Sequence, residues 1–295
     1  MLLYAMPGQE QLAASLRSQT GLLAGTMSLR RFPDGETYIR ILDQLHTEEV
    51  AILAQLHHPD EQFLSLLLLI STLRDLGVKR VGLIAPYLPY MRQDKRFAPG
   101  EGVSARYFAN ILGKHLDWLL CVDPHLHRIH DLTEVYTIPA RAMTAVAPIA
   151  DWISAHLDRP LVIGPDSESE QWAASVARLA GCEYEILNKI RHGDREVEVS
   201  VPVNTADLSC TPVLVDDIVS TGKTMIQAAR QLLQAGYPQP VCIAVHGLFA
   251  PGALQEMQDA GLTVVTSNSI AGQHDQIDLA PLIASGLREM LEGTE

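Results

Sequence analysis

Short apolar runs alternate with longer segments of helical periodicity along the first half of the chain. The apolar runs lie at residues 50–56, 81–85 and 118–122, and the helix-like segments lie between them at residues 63–76 and 103–116. Runs rich in valine, isoleucine and leucine favour buried strands, whereas apolar positions that recur about every 3.6 residues favour helices. The alternation therefore predicts parallel strands that are joined by helices.

The second half repeats this pattern after an irregular stretch, residues 131–145. Its predicted elements are strands at residues 161–163, 184–187, 213–215 and 241–245, and helices at residues 169–180, 224–235, 252–260 and 279–291. We predict an α/β protein with one domain at residues 1–146 and a second at residues 147–295, each a mostly parallel sheet flanked by helices. The pattern leaves open on which half the last helix packs.

The composition is that of a folded protein, and its charge is acidic. Hydrophobic residues make up 47% of the chain and charged residues 19%, which excludes a disordered or low-complexity chain. The formal net charge of −13 repels phosphate backbones, so nucleic acid is not expected as a partner. Anionic substrates would have to be held by backbone amides, by a few cations or by metal ions.

Cysteine spacing and the N-terminal residues indicate the cellular compartment. The four cysteines, Cys121, Cys182, Cys210 and Cys242, are widely spaced, so neither a disulfide framework nor a zinc knuckle is indicated. The N-terminal residues lack the basic region of a signal peptide, and the most apolar run, residues 63–70, is far shorter than a membrane span. We therefore expect a protein of the reducing cytoplasm with no membrane partner.

The most informative segment is residues 213–224, with the sequence VLVDDIVSTGKT. A buried strand runs into two acids, Asp216 and Asp217, and then into a hydroxyl-rich turn that opens a helix. A nucleotide P-loop would need glycine where Asp217 stands, so that interpretation fails. Helix-start amides suit a phosphate, and acids beside a phosphate suit sugar hydroxyls or a metal ion. A helix capped by Ser220 would explain the hydroxyls but would leave the two acids unexplained. A phosphorylated sugar would use both the helix start and the acids, so ribose 5-phosphate is the natural candidate ligand.

Polar segments also follow other predicted strands, where ligands bind in parallel sheets. These segments are residues 86–96 (PYLPYMRQDKR), 122–130 (VDPHLHRIH) and 164–166 (GPD). Arg92 can form a bidentate pair with phosphate or stack on a purine. His125 and His127 could instead be the H-x-H pair of a zinc hydrolase, which would need further ligands at other strand ends.

Two further segments are residues 32–36 (FPDGE), a turn of the kind that joins two strands, and residues 189–191 (KIR), a polar stretch ahead of the next strand. Together the segments resemble the ribose-phosphate diphosphokinase family of the type I phosphoribosyltransferase superfamily, in family order from about Phe32 to Phe249. The resemblance implies two similar phosphoribosyltransferase-like domains, the first on the ATP side and the second on the ribose 5-phosphate side. It implies transfer of the β,γ-diphosphoryl group of ATP to O1 of ribose 5-phosphate, which gives phosphoribosyl diphosphate and AMP. It also implies a requirement for Mg²⁺ and a homo-oligomer built from dimers.

The resemblance gives each matched residue a role. The residues implied to bind ATP are Phe32, Asp34, Gly35, Glu36, Arg92, Gln93 and Asp94. Those implied to bind ribose 5-phosphate are Asp216, Asp217, Ser220, Thr221, Gly222, Lys223 and Thr224. Those implied to hold metal ions are Asp123, His125 and Asp166. Lys189 and Arg191, on a mobile loop of the family, are implied to stabilise the charge on the transferring phosphates.

The sequence departs from the family pattern at a few positions. Glu168 and Glu170 add acids beside a site for anions, although acids at the start of a helix also favour its dipole. Lys223 adds a cation inside the phosphate loop, where relatives commonly carry a small residue. None of these changes removes a matched catalytic group.

Two alternative functions are a non-catalytic regulatory homologue and a nucleobase phosphoribosyltransferase. Lys189 and Arg191 are retained, which argues against the first. The segment with Arg92 and Gln93 has no use in the second, because a nucleobase phosphoribosyltransferase does not bind ATP.

Overall fold

The computed structural model describes residues 1–165, 169–192, 196–200, 208–272 and 274–292. Within these ranges, only the backbone is described for residues 188–192, 196–200 and 275. No described helix has the length and apolar character needed to cross a membrane.

The chain divides into two compact units. The first unit consists of Met1–Met143, Ser269–Ala271 and the residues from Ala280 onward. The second consists of Thr144–Asn268 and Gly272–Leu279. The chain thus passes from the first unit to the second between Met143 and Thr144, close to the predicted division after residue 146, and it later returns to the first unit.

Strands and helices alternate in the first unit. In chain order they are β1 (Leu2–Ala5), α1 (Glu10–Thr20), β2 (Leu23–Ala24), β3 (Met27–Arg31), β4 (Thr37–Ile41), β5 (Glu49–Leu53), α2 (Pro59–Asp75), β6 (Arg80–Ala85), α3 (Ser104–Leu112), β7 (Trp118–Val122) and β8 (Ala140–Met143). The sheet has the order β2-β1-β5-β6-β7-β8, and its described neighbours run parallel. Strands β3 and β4 form an antiparallel hairpin of their own, in which Arg31 pairs with Thr37.

The second unit follows the same plan. Its elements are α4 (Val146–His156), β9 (Pro160–Gly164), α5 (Glu170–Ala180), β10 (Glu183–Ile186), β11 (Asn188–His192), β12 (Glu196–Ser200), β13 (Thr211–Val219), α6 (Lys223–Gln234), β14 (Val241–Gly247), α7 (Ala253–Asp259), β15 (Thr263–Ser267) and β16 (Asp275–Ile277). The sheet has the order β10-β9-β13-β14-β15-β16, and its described neighbours run parallel. Strands β11 and β12 form a separate antiparallel hairpin. The predicted α/β class, with mostly parallel sheets flanked by helices, is confirmed.

The last helix, α8 (Ala280–Glu292), belongs to the first unit, which settles the question that the sequence pattern leaves open. It lies very close to the sheet at Gly286, where a Cβ atom would be 2.6 Å from Sδ of Met143 and 3.1 Å from Cδ1 of Leu120. Only a glycine allows this approach. Arg141 of β8 and Glu289 of α8 add an ion pair to the contact.

Helices α2 and α3 bury one face of the first unit's sheet. Leu69 of α2 and Phe108 of α3 share a core with Leu83 of β6 and Leu119 of β7. Burial of each such side chain contributes about 1.5–3 kcal/mol. Leu120, the next residue along β7, is the one beside α8. Strand β7 is therefore buried on both faces, which explains its uninterrupted apolar sequence.

The predicted irregular stretch is the main error in the sequence reading of the fold. Residues 140–143 within it form β8, which pairs with β7 among the described residues. As the last strand of its sheet in the described order, β8 is only partly buried and needs no apolar run. A short strand of this kind leaves no signal in the hydrophobic pattern.

Candidate active site

Unusual backbone conformations mark the edge of the first unit's sheet at which the strands end. Four described residues other than glycine have a positive φ, and three of them, His58 (50°), Tyr90 (65°) and Asp123 (34°), follow β5, β6 and β7. Side chains with a Cβ adopt this region reluctantly, and such residues cluster at functional sites. We call this edge the carboxyl edge of the first unit.

Residues 86–96, which contain predicted ATP-binding residues and are called the nucleotide segment below, follow β6 and are anchored at Tyr90. The Tyr90 hydroxyl donates a hydrogen bond to Oδ1 of Asp60, the second residue of α2, and its ring lies 4.8 Å from the ring of Phe108. The hydrogen bond to Asp60, together with partial burial, raises the pKa of Tyr90 to about 12. The hydroxyl therefore remains a donor at neutral pH.

Arg92 and Gln93 differ in how the chain uses their side chains. Arg92 is exposed, and no described residue makes a hydrogen bond or ion pair with its guanidinium. Gln93 accepts a hydrogen bond at Oε1 from Oγ of Ser104, the first residue of α3, at 2.5 Å. Its amide nitrogen still offers donors, because only the carbonyl side is engaged by that contact. Both residues present donors, which suits phosphate oxygens.

Asp94, the third matched residue of this segment, is buried. Its side chain is 2% exposed, and Nη1 of Arg128 lies 3.3 Å from its Oδ1. Its carboxylate therefore faces the chain rather than the solvent, unlike the side chain of Arg92.

Residues 123–130, which contain the predicted metal residues Asp123 and His125 and are called the metal segment below, follow β7. The backbone N–H of Asp123 donates to the carbonyl of Met143 at 2.8 Å, which continues the pairing of β7 with β8. The rings of His125 and His127 lie 3.9 Å apart in an edge-on arrangement. The structure thus brings the matched His125 together with the unmatched His127. Asp166, the other predicted metal residue, lies outside the described residues.

The turn between β3 and β4 carries the remaining predicted nucleotide residues, and all of them are exposed. Gly35 has a φ of 94°, and Oδ1 of Asp34 accepts a hydrogen bond from the N–H of Glu36 at 3.2 Å. The Phe32 N–H donates to the carbonyl of Glu36 at 2.8 Å, which closes the turn. The ring of Phe32 is 39% exposed and is available to a flat apolar group.

Two arginines that the sequence analysis did not single out brace this turn. Arg31 donates to the carbonyl of Gly35 at 2.9 Å and to that of Glu61 at 2.6 Å, so it ties the turn to α2. The guanidinium of Arg30 lies 4.7 Å from the ring centre of Phe32 and 4.2 Å from that of Tyr38. Cation–π contacts of this kind hold the Phe32 ring in place.

The phosphate loop of the second unit connects β13 to α6. Asp216 and Asp217 lie on β13, which extends to Val219 and is longer than the apolar run predicts. Both carboxyl groups are partly buried. Each accepts a hydrogen bond from the next backbone N–H, at 3.0 Å for Asp216 and 2.7 Å for Asp217. These contacts fix the direction of both side chains.

Helix α6 begins without a side-chain cap. Gly222 is its N-cap residue, with a φ of 66°, and a glycine offers no side-chain cap to the first-turn amides. Such amides, with the positive end of the helix dipole, bind phosphate readily. Lys223 is exposed and begins the helix, and Ser220, Thr221 and Thr224 lie around the same turn.

Neighbouring elements hold the phosphate loop in position. The carbonyls of Val219 and Ser220 accept hydrogen bonds from the N–H groups of Leu248 at 2.9 Å and Ala250 at 3.1 Å. Gly222 is buried, and a Cβ there would lie 2.6 Å from Sδ of Met257 on α7. The loop is therefore rigid before any ligand arrives.

Lys189 and Arg191 lie on a strand rather than on a loop. They occupy alternate positions of β11 and pair with Val199 and Val197 of β12. The expectation of a loop was wrong for the backbone of these residues. The alternation of charged and apolar residues at positions 196–199 (EVEV) favours the hairpin and was not used in the sequence analysis.

Comparison with known proteins defines the class first. Residues 131–281 match the family described as the phosphoribosyl transferase domain. The second unit, with an acid pair and an uncapped helix after a parallel strand, has the architecture of that class. The predicted phosphoribosyltransferase-like fold is confirmed.

The particular family follows from the remainder of the chain. Residues 1–115 match the family described as the N-terminal domain of ribose phosphate pyrophosphokinase. A ribose-phosphate pyrophosphokinase of Methanothermobacter thermautotrophicus is 33% identical over 95% of this chain and 97% of its own length. One from Methanobrevibacter smithii is 32% identical over 88% of this chain and 91% of its own length. The chain belongs to the ribose-phosphate pyrophosphokinase family.

A solved structure agrees with this assignment over both units. Phosphoribosylpyrophosphate synthetase from Mycobacterium smegmatis matches with a TM-score of 0.85 and 25% sequence identity, and the match covers 99% of each chain. The predicted resemblance to ribose-phosphate diphosphokinases, another name for the same family, is confirmed. Neither alternative function is favoured by these comparisons.

Proposed function

We propose that this protein transfers the β,γ-diphosphoryl group of ATP to O1 of ribose 5-phosphate and releases phosphoribosyl diphosphate and AMP. The observation that carries the proposal is the phosphate loop, in which Asp216 and Asp217 lie near the end of β13 and a short turn leads to an uncapped helix start. The relatives named above carry the name of this activity. The second unit supplies groups for a phosphorylated sugar, and the first supplies groups for a nucleotide.

Ribose 5-phosphate would bind along the phosphate loop. The amides of residues 221–224, with the hydroxyls of Ser220, Thr221 and Thr224, would hold the 5-phosphate. Asp216 and Asp217 would accept hydrogen bonds from the ribose hydroxyls. Lys223 would add positive charge, which an anionic ligand needs in a chain of net charge −13.

ATP would bind to the first unit. Arg92 and Gln93 would donate to the phosphates, and the exposed ring of Phe32 would contact the base, with Asp34, Gly35 and Glu36 near the adenosine. Because the β3–β4 hairpin stands apart from the main sheet, its exposed turn is free to serve the site of a second copy in a homo-oligomer built from dimers.

Mg²⁺ is the proposed cofactor, and the residues present fit it. Magnesium prefers oxygen ligands and usually keeps several waters, so one or two carboxylates are enough to hold it. Asp123 and Asp166 would supply these carboxylates, and His125 would contact the ion or its waters. When bound, the ion would offset negative charge on the triphosphate.

Lys189 and Arg191 would stabilise the negative charge that develops on the transferring phosphates. Phosphoryl transfer proceeds with charge spread over equatorial oxygens, and fixed cations at that place lower the barrier. The free thiols of Cys121, Cys182, Cys210 and Cys242 agree with a reducing cytoplasm as the place of action. We propose no nucleic-acid or membrane partner.

Phosphorus NMR of the purified protein tests this function. With ATP, ribose 5-phosphate and Mg²⁺, we expect AMP together with a diphosphate ester on the anomeric carbon. Omission of ribose 5-phosphate, or chelation of Mg²⁺, should abolish both signals. ADP and a ribose bisphosphate as products would instead show single phosphoryl transfer, and intact substrates would favour the regulatory homologue.

Replacement of Asp216 by asparagine should raise the KM for ribose 5-phosphate. A hydrogen bond to a charged group contributes about 1.5–3 kcal/mol, which corresponds to roughly 10- to 100-fold in affinity. The KM for ATP should change little. Steady-state kinetics with each substrate varied in turn measures both constants, and an unaltered KM for ribose 5-phosphate would remove Asp216 from the sugar contact.

A further inference from the structure

An ion pair at the carboxyl edge of the first unit has no part in the function proposed above. It joins Asp94 of the nucleotide segment to Arg128 of the metal segment. Nη1 of Arg128 lies 3.3 Å from Oδ1 and 3.4 Å from Oδ2 of Asp94. The backbone N–H of Arg128 donates to Oδ2 at 3.3 Å. Both the side chain and the backbone of the metal segment therefore contact one carboxylate.

Burial makes this pair strongly interdependent. The side chain of Asp94 is 2% exposed, whereas that of Arg128 is 46% exposed. A buried carboxylate without a partner is highly unfavourable, so the Asp94 side chain needs Arg128 where it lies. A carboxylate turned towards ATP would, in addition, repel the triphosphate. The contacts of Asp94 thus fit a role inside the chain better than the nucleotide contact that the family resemblance implies.

We propose that Asp94 and Arg128 form a clamp that sets the spacing between the nucleotide segment and the metal segment. Asp94 is two residues from Arg92, and Arg128 is three residues from His125. The clamp rests on the proposed function, because it positions the groups to which that function gives the triphosphate and its metal ion. Asp94 and Arg128 are positioning residues and make no contact with the reacting atoms.

The rest of the nucleotide segment shows why this clamp matters. The other ties of the segment lie towards α2 and α3, through Tyr90 with Asp60 and through Gln93 with Ser104. Strands β6 and β7 are neighbours, so the metal segment emerges beside the nucleotide segment. The Asp94–Arg128 pair is a polar side-chain link between these two segments, beside the apolar core that Leu88 and Met91 share with Ile129. Without it, Arg92 would stay attached to the helices but lose its fixed distance from Asp123.

A displacement of this kind affects binding of the metal–nucleotide complex. The cation that contacts the phosphates and the residue that contacts the metal ion must both fit one small metal–nucleotide complex. A displacement of such a group by about 1 Å lowers the reaction rate about 100-fold. The phosphate loop lies in the second unit, and its carbonyls at Val219 and Ser220 are held there by the N–H groups of Leu248 and Ala250. We therefore expect a defect in use of the metal–ATP complex, with binding of ribose 5-phosphate preserved.

The experiment compares the full-length variants Arg128→Ala, Arg128→Lys, Asp94→Asn and the double variant Asp94→Asn/Arg128→Ala. We expect Arg128→Ala to raise the KM for MgATP and the Kd for MgATP from calorimetry about tenfold, whereas the KM for ribose 5-phosphate stays within about twofold. Lysine should restore part of the affinity, because it keeps the charge without the planar fork. The double variant should be no worse than the poorer single variant, since both members of one pair are removed.

Arg74→Ala is the matched control. Nη2 of Arg74 lies 2.5 Å from Oδ2 of Asp117 at the opposite edge of the same sheet. This pair consists of the same residue types as the clamp, but no predicted site residue among those described is next to it. This variant should lower the Tm and leave the affinity for MgATP unchanged. If Arg128→Ala behaves in the same way, the pair is only structural and the clamp is wrong.

Two other outcomes overturn the clamp. If Asp94→Asn weakens MgATP binding and Arg128→Ala does not, Asp94 is a nucleotide contact. Additive losses in the double variant would show two independent roles. If Arg128→Ala fails to fold, the Kd for MgATP of Arg128→Lys and of Asp94→Asn, measured by calorimetry, tests the clamp in its place. A wild-type protein that binds no MgATP would overturn the proposed function, and the clamp with it, whereas normal wild-type turnover with unaffected variants overturns the clamp alone.

Discussion

Replacement of Lys189 by alanine should lower kcat on the order of 10²- to 10³-fold, the loss typical of removing one fixed group that stabilises transition-state charge. The KM for ATP should change far less, because Lys189 is assigned to charge that appears during transfer rather than to the bound substrate. Its place on the β11–β12 hairpin would carry the cation to the transferring phosphates. Steady-state kinetics with a matched measurement of ATP binding checks both parts.

Lys79→Ala serves as the control for this prediction. Lys79 pairs with Glu48 on the surface of the first unit, and the two residues directly precede β6 and β5, at the end of the sheet opposite the carboxyl edge. Its removal should leave kcat and both KM values unchanged. A Lys189→Ala variant with wild-type turnover would remove Lys189 from the mechanism, and a rise in the KM for ATP alone would make it a binding residue.

Replacement of Gly222 by alanine should raise the KM for ribose 5-phosphate by about tenfold or more. The φ of 66° is unfavourable for a residue with a Cβ, by about 1–2 kcal/mol. The new Cβ would also lie 2.6 Å from Sδ of the buried Met257, so the loop or α7 must shift. Because the loop amides are aimed by this turn, the phosphate contacts are lost first. Binding of ribose 5-phosphate, followed by calorimetry, measures the effect directly.

Gly181 provides a glycine control in the same unit. It ends α5 with a φ of 69°, and a Cβ there would meet nothing within 4 Å. Gly181→Ala therefore carries the backbone strain without a steric contact and lies away from the phosphate loop. It should lower the Tm slightly and leave the KM for ribose 5-phosphate unchanged. Equal KM values in the two variants and the wild type would mean that the Gly222 turn does not aim the phosphate contacts.

The fold could be predicted well where strands are buried on both faces. Strand β7 has the bounds that its apolar run predicts, because a strand covered on both sides needs an uninterrupted apolar sequence. Strand β8 and the hairpins could not be found in this way. Their residues are partly exposed or on an edge, so their positions depend on partners that lie elsewhere in the chain. A hydrophobic run indicates a buried strand, and these strands are only partly buried.

The site could be predicted where one short segment carries the chemistry. The phosphate loop is such a case, because the acid pair and the helix start are adjacent in the sequence. The supporting side chains could not be predicted. Arg31 reaches a carbonyl 30 residues away, and Arg128 reaches a carboxylate 34 residues away. No local pattern encodes such a partner, so the burial of Asp94 against Arg128 is not predictable from its own segment.

The return of α8 to the first unit has a consequence for synthesis of the protein. The ribosome finishes the sheet of the first unit early, but the helix that packs against Leu120 and Met143 is made after all the strands and helices of the second unit. At about 5–20 residues per second, the nascent sheet waits with an uncovered apolar face while the entire second unit is translated. Complete folding of the first unit is thereby tied to synthesis of α8. A prematurely terminated product would carry a second unit with its elements complete beside a first unit that lacks its last layer.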